Sequence, residues 1–492
     1  MRNYIALAVF ASVVTAAACG QKSAVQTAAD TLKVSTIKTL QVTGSGTNFS
    51  VGQNYTSSDA WPPVTVKNYT ASIDYDAGSM RTELVRQMGA VMPQGGGAPF
   101  FGEQRQNQLV SGNFAWNMGA PGPNGAAPMA QPAPDAAAER MLAVWSTPIG
   151  FVKAAMTNNA TTTPSGTSSD VSFTVNGKYK MEGTINAQGQ VEKVRTWFDQ
   201  PIVGDMLVET TYSDYKDFGG VTYPSHIVQT QDGFPALDIT VSAVTANPAV
   251  DIQVPENVRA FQPPPIRVES QKLAEGVYYL TGGTHHSLAI EMADHIVVVD
   301  TPNNQARGEA VLAKAKELIP NKPVRFVVTS HHHWDHLGGI RAAIDEGATI
   351  VTHQSNEQFL QRVAKTPHTI APDRQASSNK PVMIQAVGDD GQLTDGKRVI
   401  ELHRLQGYGH TADMLVVYLP KEKILGEPDA FTPPPQAGTP LIPPAVPSAK
   451  ALNDNIKRLK LDVRTIAPFH GNRTTTVAEL EKAAATPAVS TN

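Results

Sequence analysis

Cysteine is nearly absent from this chain of 492 residues, in which Cys19 is the only one. A lone cysteine excludes a disulfide bond within the chain, and its place near the N-terminus argues against a thiolate ligand in any metal site further along. Charge of one sign is also scarce. The formal net charge is only −4 and there is no basic cluster, which argues against nucleic acid as a partner.

Long apolar runs are missing, except for residues 5–14, which follow Arg2. This run suits the centre of a signal peptide and is too short for a permanent membrane-spanning helix. Small residues then lead into Cys19, and the segment resembles a bacterial lipoprotein signal. The resemblance implies lipidation of Cys19 and a protein tethered in the periplasm or cell envelope, where Gly20 favours the outer membrane. Ordinary cleavage near the same place is the alternative.

The chain is too long for one hydrophobic core, so we expect two folded units with appendages. A Pro-rich segment between the two halves marks the boundary. The predicted division is a signal over residues 1–19, a tether over 20–39, a mainly β domain over 40–258, a linker over 259–267, an α/β domain over 268–483 and a tail over 484–492.

The first half alternates apolar and polar residues in segments such as 170–175 and 178–185, a pattern typical of half-buried antiparallel strands. Residues 89–134 are rich in Gly, Pro, Ala and Asn, which predicts a mobile loop. This half weakly resembles the curved sheets of bacterial lipoprotein carrier proteins. A sheet of that kind could hold a lipid or shape the mouth of an enzyme, and a structural or docking role is an equal alternative.

Four histidines and one aspartate lie within six residues, directly after the apolar run 324–330. The run is typical of a buried parallel strand, so the polar residues are expected on the loop at its end. Side chains two apart on an extended chain point the same way, and His331 and His333 can therefore share one metal while His332 acts as a spacer. Asp335 and His336 follow the turn and can bind a second metal.

The pattern His331-x-His333-x-Asp335-His336 resembles the signature of the metallo-β-lactamase superfamily of dinuclear metallohydrolases. Three further motifs follow in the order of that family, and they end at His410, Asp429 and His470. The resemblance covers roughly residues 268–483. It implies an αββα sandwich, preceded here by the mainly antiparallel β domain, with the ligands on loops along one edge; the alternation of strands and helices in this half is compatible with that fold.

By the same resemblance, His331, His333 and His410 hold a first metal, while Asp335, His336 and His470 hold a second. Asp429 is the expected bridge, with Glu427 as the alternative. Two Zn²⁺ ions suit this set, although Mn or Fe could also occupy it. The implied reaction is attack on a carbonyl by a metal-bridging hydroxide that Asp335 orients.

The expected function is therefore hydrolysis of a small-molecule ester, lactone, thioester or amide by an exported enzyme. An aspartate at the bridging position favours general hydrolysis over β-lactam cleavage, which is one alternative. A mononuclear iron dioxygenase and a lipid-binding envelope lipoprotein are the others. Four residues are further candidates for contacts with substrate or with the ligands: His285, His286, Asp300 and Tyr408.

Overall fold

The structure is a computed structural model of the whole chain, and it describes residues 22–88, 94–97, 100, 102–120, 127–442 and 445–486. The predicted signal and the lipidation site Cys19 lie outside these residues. Within them, no helix has the length and apolar character needed to cross a membrane.

A large antiparallel sheet dominates the first half of the described chain, as its alternating pattern predicts. Its thirteen strands run in the spatial order β6-β5-β4-β3-β2-β1-β13-β12-β11-β10-β9-β8-β7. Their bounds are β1 Thr39–Phe49, β2 Pro63–Asp74, β3 Ser79–Gln87, β4 Glu103–Ser111, β5 Phe114–Met118, β6 Ala130–Pro132, β7 Thr161–Ser165, β8 Ser168–Val175, β9 Tyr179–Ile185, β10 Val191–Gln200, β11 Gly204–Asp217, β12 Thr222–Gln231 and β13 Phe234–Ala246.

Four helices accompany this sheet in the described residues: α1 Ala24–Thr31, α2 Ala137–Ser146, α3 Pro148–Thr157 and α4 Glu256–Arg259. The prediction of a tether over residues 20–39 is wrong where the structure describes them. Ser23 and Gln26 form a capping box at the start of α1, and the spaced apolar residues Val25, Ala28 and Leu32 are buried in the domain core. Gln26, Thr27, Asp30 and Thr31 lie between those positions and make the segment look polar.

The prediction of a mobile loop over residues 89–134 is also wrong for much of that stretch, although residues 89–93, 98–99, 101 and 121–126 lie outside the described residues. The strands β4, β5 and β6 occupy it and extend the sheet to its edge. Leu109 and Trp116 face each other across β4 and β5 and are both buried. Composition conceals this pairing because the exposed positions of the strands hold the polar residues Glu103, Arg105 and Gln131.

The described residues of the second half form two sheets. The first holds β14 Glu269–Ala274, β15 Val277–Thr281, β16 Ser287–Glu291, β17 Ile296–Val299, β18 Val324–Val328, β19 Thr349–His353 and β20 Met383–Val387; the second holds β21 Asp390–Thr394, β22 Val399–Arg404, β23 Leu415–Leu419, β24 Ile424–Glu427 and β25 Thr465–Pro468. The helices here are α5 Gln305–Leu318, α6 Trp334–Leu337, α7 Ile340–Glu346, α8 Glu357–Lys365, α9 Arg374–Ser378, α10 Val446–Leu459 and α11 Val477–Ala484.

These elements form the expected αββα sandwich. Leu288 and Ile290 of β16 belong to the apolar cluster between the two sheets, whereas Ala289 faces the cluster that contains α5 and α7. On the outer side of the second sheet, Leu452 of α10 packs with Leu425. Each sheet therefore buries one face against the other sheet and one face against helices.

The two halves touch directly. Asp205 at the start of β11 accepts hydrogen bonds from the backbone N–H groups of Thr369 and Ile370, at 2.9 and 3.0 Å from its Oδ1. The connection between β1 and β2 makes a second contact, with residues 331–336, which we call the histidine-rich loop.

Candidate metal centre

The histidine-rich loop follows the end of β18 at Val328, at the carboxyl edge of the parallel strands. His333 has an extended backbone and is the N-cap of α6. Asp300, which follows β17, fixes the start of the loop. Its carboxylate accepts hydrogen bonds from the backbone N–H and the hydroxyl of Ser330, both at 2.7 Å. Gly338 is the C-cap of α6. Glycine is required at this position, because a Cβ there would lie 2.0 Å from the carbonyl oxygen of Asn303.

His331, His333 and His410 form a first group, in which one nitrogen of each ring lies within 4.8 Å of the others. His410 comes from the loop between β22 and β23. Its Nε2 lies 3.0 Å from Nδ1 of His333, so two ring nitrogens face each other. Two imidazole nitrogens in this arrangement can bind one cation together.

A second group contains His285, Asp335, His336 and His470, and one nitrogen or oxygen atom of each side chain again lies within 4.8 Å of the others. Nε2 of His336 lies 3.1 Å from Nε2 of His470, and Nε2 of His285 lies 3.2 Å from Oδ2 of Asp335. The sequence alone leaves His285 equally a surface residue or a pocket residue, and the structure makes it a member of this group. The other six residues of both groups are those that the sequence singles out.

Asp429 lies between the two groups. Its Oδ2 is 3.1 Å from Nε2 of His331 and 3.4 Å from Nε2 of His410, while its Oδ1 is 2.6 Å from Nε2 of His470. Burial raises the pKa of Asp429, but the charges of His336 and His470 outweigh burial and hold it well below the usual range. The side chain is therefore a carboxylate facing both groups.

Several buried atoms of this centre have no hydrogen-bond partner, which shows that the residues fit a metal. Nε2 of His331 and Oδ2 of Asp429 are two of them. Burial lowers the pKa of His331 and of His333 well below the ordinary value, so both rings are neutral and carry a free lone pair. Buried acceptors without a donor are costly unless a cation is present.

His336 has the opposite electrostatics. Burial lowers the pKa of His336. The charge of Asp429 and the hydrogen bond to Asp300 raise it by more than burial lowers it, so this pKa lies well above the usual value. Oδ2 of Asp300 is 2.9 Å from Nδ1 of His336 and fixes the ring orientation. In the metal-free protein a proton on Nε2 of His336 therefore faces Asp429, and a metal that binds this ring would replace that proton.

Glu427, the alternative bridging residue, serves another purpose. Its Oε2 accepts from the backbone N–H groups of Ala430 and Phe431 and stabilises the turn after β24. Burial and the neighbouring charge of Asp429 raise the pKa of Glu427 to about 8. Glu427 does not join the converging ligand atoms of the described residues.

The remaining candidates lie around the centre. His286 is buried, bonds through Nε2 to the carbonyl of Gly471, and packs edge-on against Tyr279. Tyr408 is buried with its ring centroid 5.7 Å from that of His410, and burial raises its pKa well above the ordinary value. Both side chains support the loops that carry ligands.

Sequence reasoning missed four contributors, namely His332, Asp413, Asn54 and Gln53. His332 is buried between Asp413 and the carbonyl of Asn54, and Gln53 contacts Asp335. Asn54 and Gln53 belong to the N-terminal domain, and Asn54 lies 278 positions before His332. No local pattern predicts such partners.

The αββα fold and the converging His and Asp side chains define the class, an α/β sandwich domain with a candidate metal centre at one edge. Residues 280–470 match the family model described as the metallo-beta-lactamase superfamily, so this region of the chain is a domain of that superfamily. The N-terminal β domain is not covered by this match. A comparison with curated proteins gives no match.

Solved structures give a partial likeness. The metallo-beta-lactamase from Pontibacter korlensis is 21% identical, with 44% of this chain and 97% of that chain covered and a TM-score of 0.33. The metallo-beta-lactamase from Hirschia baltica is 22% identical, with coverage of 44% and 96% and a TM-score of 0.32. At these values the likeness carries no argument about activity.

Proposed function

We propose that the C-terminal domain is a two-metal hydrolase that cleaves the carbonyl bond of a small ester, lactone, thioester or amide. The observation that carries the proposal is the unpartnered pair of buried acceptors, Nε2 of His331 and Oδ2 of Asp429, 3.1 Å apart. A cation between the two groups of ligands would satisfy both atoms.

The ligands divide between two positions. His331, His333 and His410 would hold one metal, and Asp335, His336 and His470 the other, with Asp429 shared between them. Two divalent cations would supply Lewis acidity toward a carbonyl and make water acidic enough to ionise near neutral pH. Five imidazoles with two carboxylates suit zinc, while manganese or iron can occupy such a set.

Asp335 is the residue of this chain best placed to orient water. Burial raises its pKa, but the hydrogen bond from His285 and the charge of His336 outweigh burial and lower it below the usual range. Its carboxylate is therefore an acceptor at neutral pH. Partial exposure of the side chain leaves it open to water and substrate.

The test is a substrate panel of lactone, thioester, ester, phosphodiester and β-lactam compounds with the purified full-length protein. We expect hydrolysis of at least one carbonyl substrate, and its loss in His331→Ala and Asp335→Ala. His226→Ala is the matched control, because His226 lies in the N-terminal sheet and pairs with Asp238. Equal activity in the wild type and the two site variants would contradict the proposal. A single iron with no hydrolysis would favour the dioxygenase alternative.

We also propose that the protein is exported and anchored in the cell envelope by a lipid on Cys19. The apolar run over residues 5–14 and the small residues before Cys19 support this proposal. The test is membrane fractionation of the wild type and Cys19→Ser. Release of the variant, but not of the wild type, from the membrane is the expected result, and identical distributions would contradict it.

A second function, binding of an apolar ligand by the N-terminal domain, is supported by a cavity of about 320 Å³ beneath the large sheet. Leu84, Leu142 and Phe198 contribute apolar surface, and Glu139 and Arg140 contribute polar groups. The test is a fluorescent fatty acid titrated into the wild type and into Ala236→Trp, which fills the cavity. Equal binding by both proteins would exclude this site.

A further inference from the structure

The connection between β1 and β2 extends from the N-terminal domain into the metal centre of the C-terminal domain. Asn54 is only 4% exposed in this connection. Its backbone carbonyl oxygen lies 2.9 Å from Nε2 of His332 and 2.8 Å from Nε2 of His333. One carbonyl of the N-terminal domain therefore contacts two consecutive histidines of the metal-binding motif.

This contact determines which nitrogen of His333 is free. A carbonyl oxygen can only accept, so Nε2 of His333 must carry the hydrogen of the bond. In the neutral ring Nδ1 then keeps its lone pair, and Nδ1 is the atom that faces His410. The carbonyl of Asn54 thus holds His333 in the tautomer that a metal needs.

Asp335, in the second group of candidate ligands, is also contacted by the connection between β1 and β2. Nε2 of Gln53 donates to Oδ1 of Asp335 at 3.0 Å, while Oδ2 faces His285. The two oxygens of Asp335 are therefore held by residues from both domains, and the carboxylate has a fixed orientation.

The connection is itself fixed to both ligand-bearing loops. Gly52 has φ +74° and lies so close to Trp334 that a Cβ would be 2.6 Å from the ring. Trp334 packs edge-on against Trp61 of the N-terminal domain, with ring centroids 5.7 Å apart. The carbonyl of Tyr55 accepts from the backbone N–H of Ala412 at 2.9 Å, beside His410.

We propose that residues 52–55 of the N-terminal domain are positioning residues for the metal centre, and that full metal affinity depends on them. The proposal rests on the proposed metal-dependent function. In it the N-terminal domain has a direct role in the site, because it supplies the acceptor for Nε2 of His333 and the donor for Oδ1 of Asp335. Hydrogen-bond partners of metal ligands typically affect metal affinity by about 10- to 100-fold.

The experiment measures the zinc dissociation constants of full-length protein by competition with a chromophoric chelator. Gln53→Met keeps the length of the side chain and removes the amide, and Gly52→Ala forces the connection away from Trp334. Gln188→Met is an exposed control for the first change. Gly233→Ala is the control for the second, because Gly233 also has positive φ, at +84°, but a Cβ added there would have nothing within 4 Å.

We expect each of the two loop variants to bind zinc about 10-fold more weakly or worse, with both controls close to the wild type. The unfolding temperature of the metal-free proteins separates this effect from a loss of folding, and Gln53→Met decides the matter if Gly52→Ala does not fold. Unchanged zinc affinity in the folded loop variants would overturn the inference while leaving the proposed function intact. A wild type that binds no zinc, manganese or iron would instead refute the proposed function.

Discussion

Nε2 of His331 and Oδ2 of Asp429 face each other across 3.1 Å at the buried centre, and neither makes a hydrogen bond. The hydroxyl of Ser330 explains why. It donates to Asp300 and therefore accepts from Nδ1 of His331, 3.0 Å away. The hydrogen of the neutral ring is then on Nδ1, and Nε2 presents a lone pair to a carboxylate. Two acceptors at this distance repel each other unless a cation lies near both.

Replacing Asp429 with Asn should therefore reduce the bound metal from two ions per chain toward one. The amide has no charge to share between the two groups, and we expect hydrolysis to fall by about 100-fold or more. Elemental analysis after dialysis measures the stoichiometry. Glu427→Gln is the matched control, because the raised pKa of Glu427 already keeps its carboxyl neutral at pH 7. Full metal content in Asp429→Asn would show that the carboxylate is not shared.

Asp300→Asn tests the support beneath the histidine-rich loop. Asp300 accepts three hydrogen bonds, two from Ser330 and one from His336, and they are divided between its two oxygens. Asn replaces one of these oxygens with an NH₂ group, which cannot accept, so at least one of the three bonds is lost. We expect metal affinity to weaken by about 10-fold or more, measured by chelator competition. Asp205→Asn removes a carboxylate with comparable bonds to the backbone at the domain contact, and it should leave metal affinity unchanged.

Arg307→Met should destabilise the C-terminal domain. The buried guanidinium donates to the carbonyl oxygens of Arg267, Thr281 and His285, which joins the linker to the start of the metal centre. Loss of these bonds leaves buried carbonyls unpaired, and we expect the free energy of unfolding to fall by about 3 kcal/mol. Urea denaturation measures it. Arg325→Met removes an exposed ion pair with Asp294 and should cost less than about 1 kcal/mol.

Glu139 predicts a pH dependence of stability in the N-terminal domain. Burial raises its pKa above the ordinary value of 4.5, and the hydrogen bond from Gln231 only partly offsets burial. The folded protein therefore keeps this proton at pH values where the unfolded chain has lost it. Its contribution to stability is full below about pH 4.5 and declines as the pH rises toward the folded pKa.

Glu139→Gln should remove this decline, so that the variant gains stability relative to the wild type as the pH rises above about 4.5. Urea unfolding at several pH values measures the slope. Glu103→Gln is a control for the loss of one carboxylate, because Glu103 pairs with Lys67 at an exposed position. Parallel pH profiles for the wild type and Glu139→Gln would contradict the prediction.

Motifs with short spacing predict most of the metal centre. His331, His333, Asp335 and His336 follow one strand, so local periodicity is enough to group them. The remaining ligands need the resemblance to a family, since His410, Asp429 and His470 come from separate loops. The structure brings all seven together, while their roles as ligands remain predictions.

Features that depend on distant pairing cannot be predicted from local sequence. His332 looks like a spacer because its partner carbonyl, that of Asn54, lies 278 positions earlier in the chain. The segment before β1 looks like a tether because polar residues separate its buried residues. In the stretch over 89–134, polar residues on the exposed positions of β4 conceal a strand. In each case tertiary contacts outweigh local composition.

The residues around His331 and Asp429 should together bind two metal ions per chain. The most direct measurement is elemental analysis of the purified full-length protein after equilibration with zinc and removal of the excess. We predict two ions per chain in the wild type and fewer than one in His331→Ala. A folded wild type without bound metal, or an unchanged metal content in His331→Ala, would contradict the account.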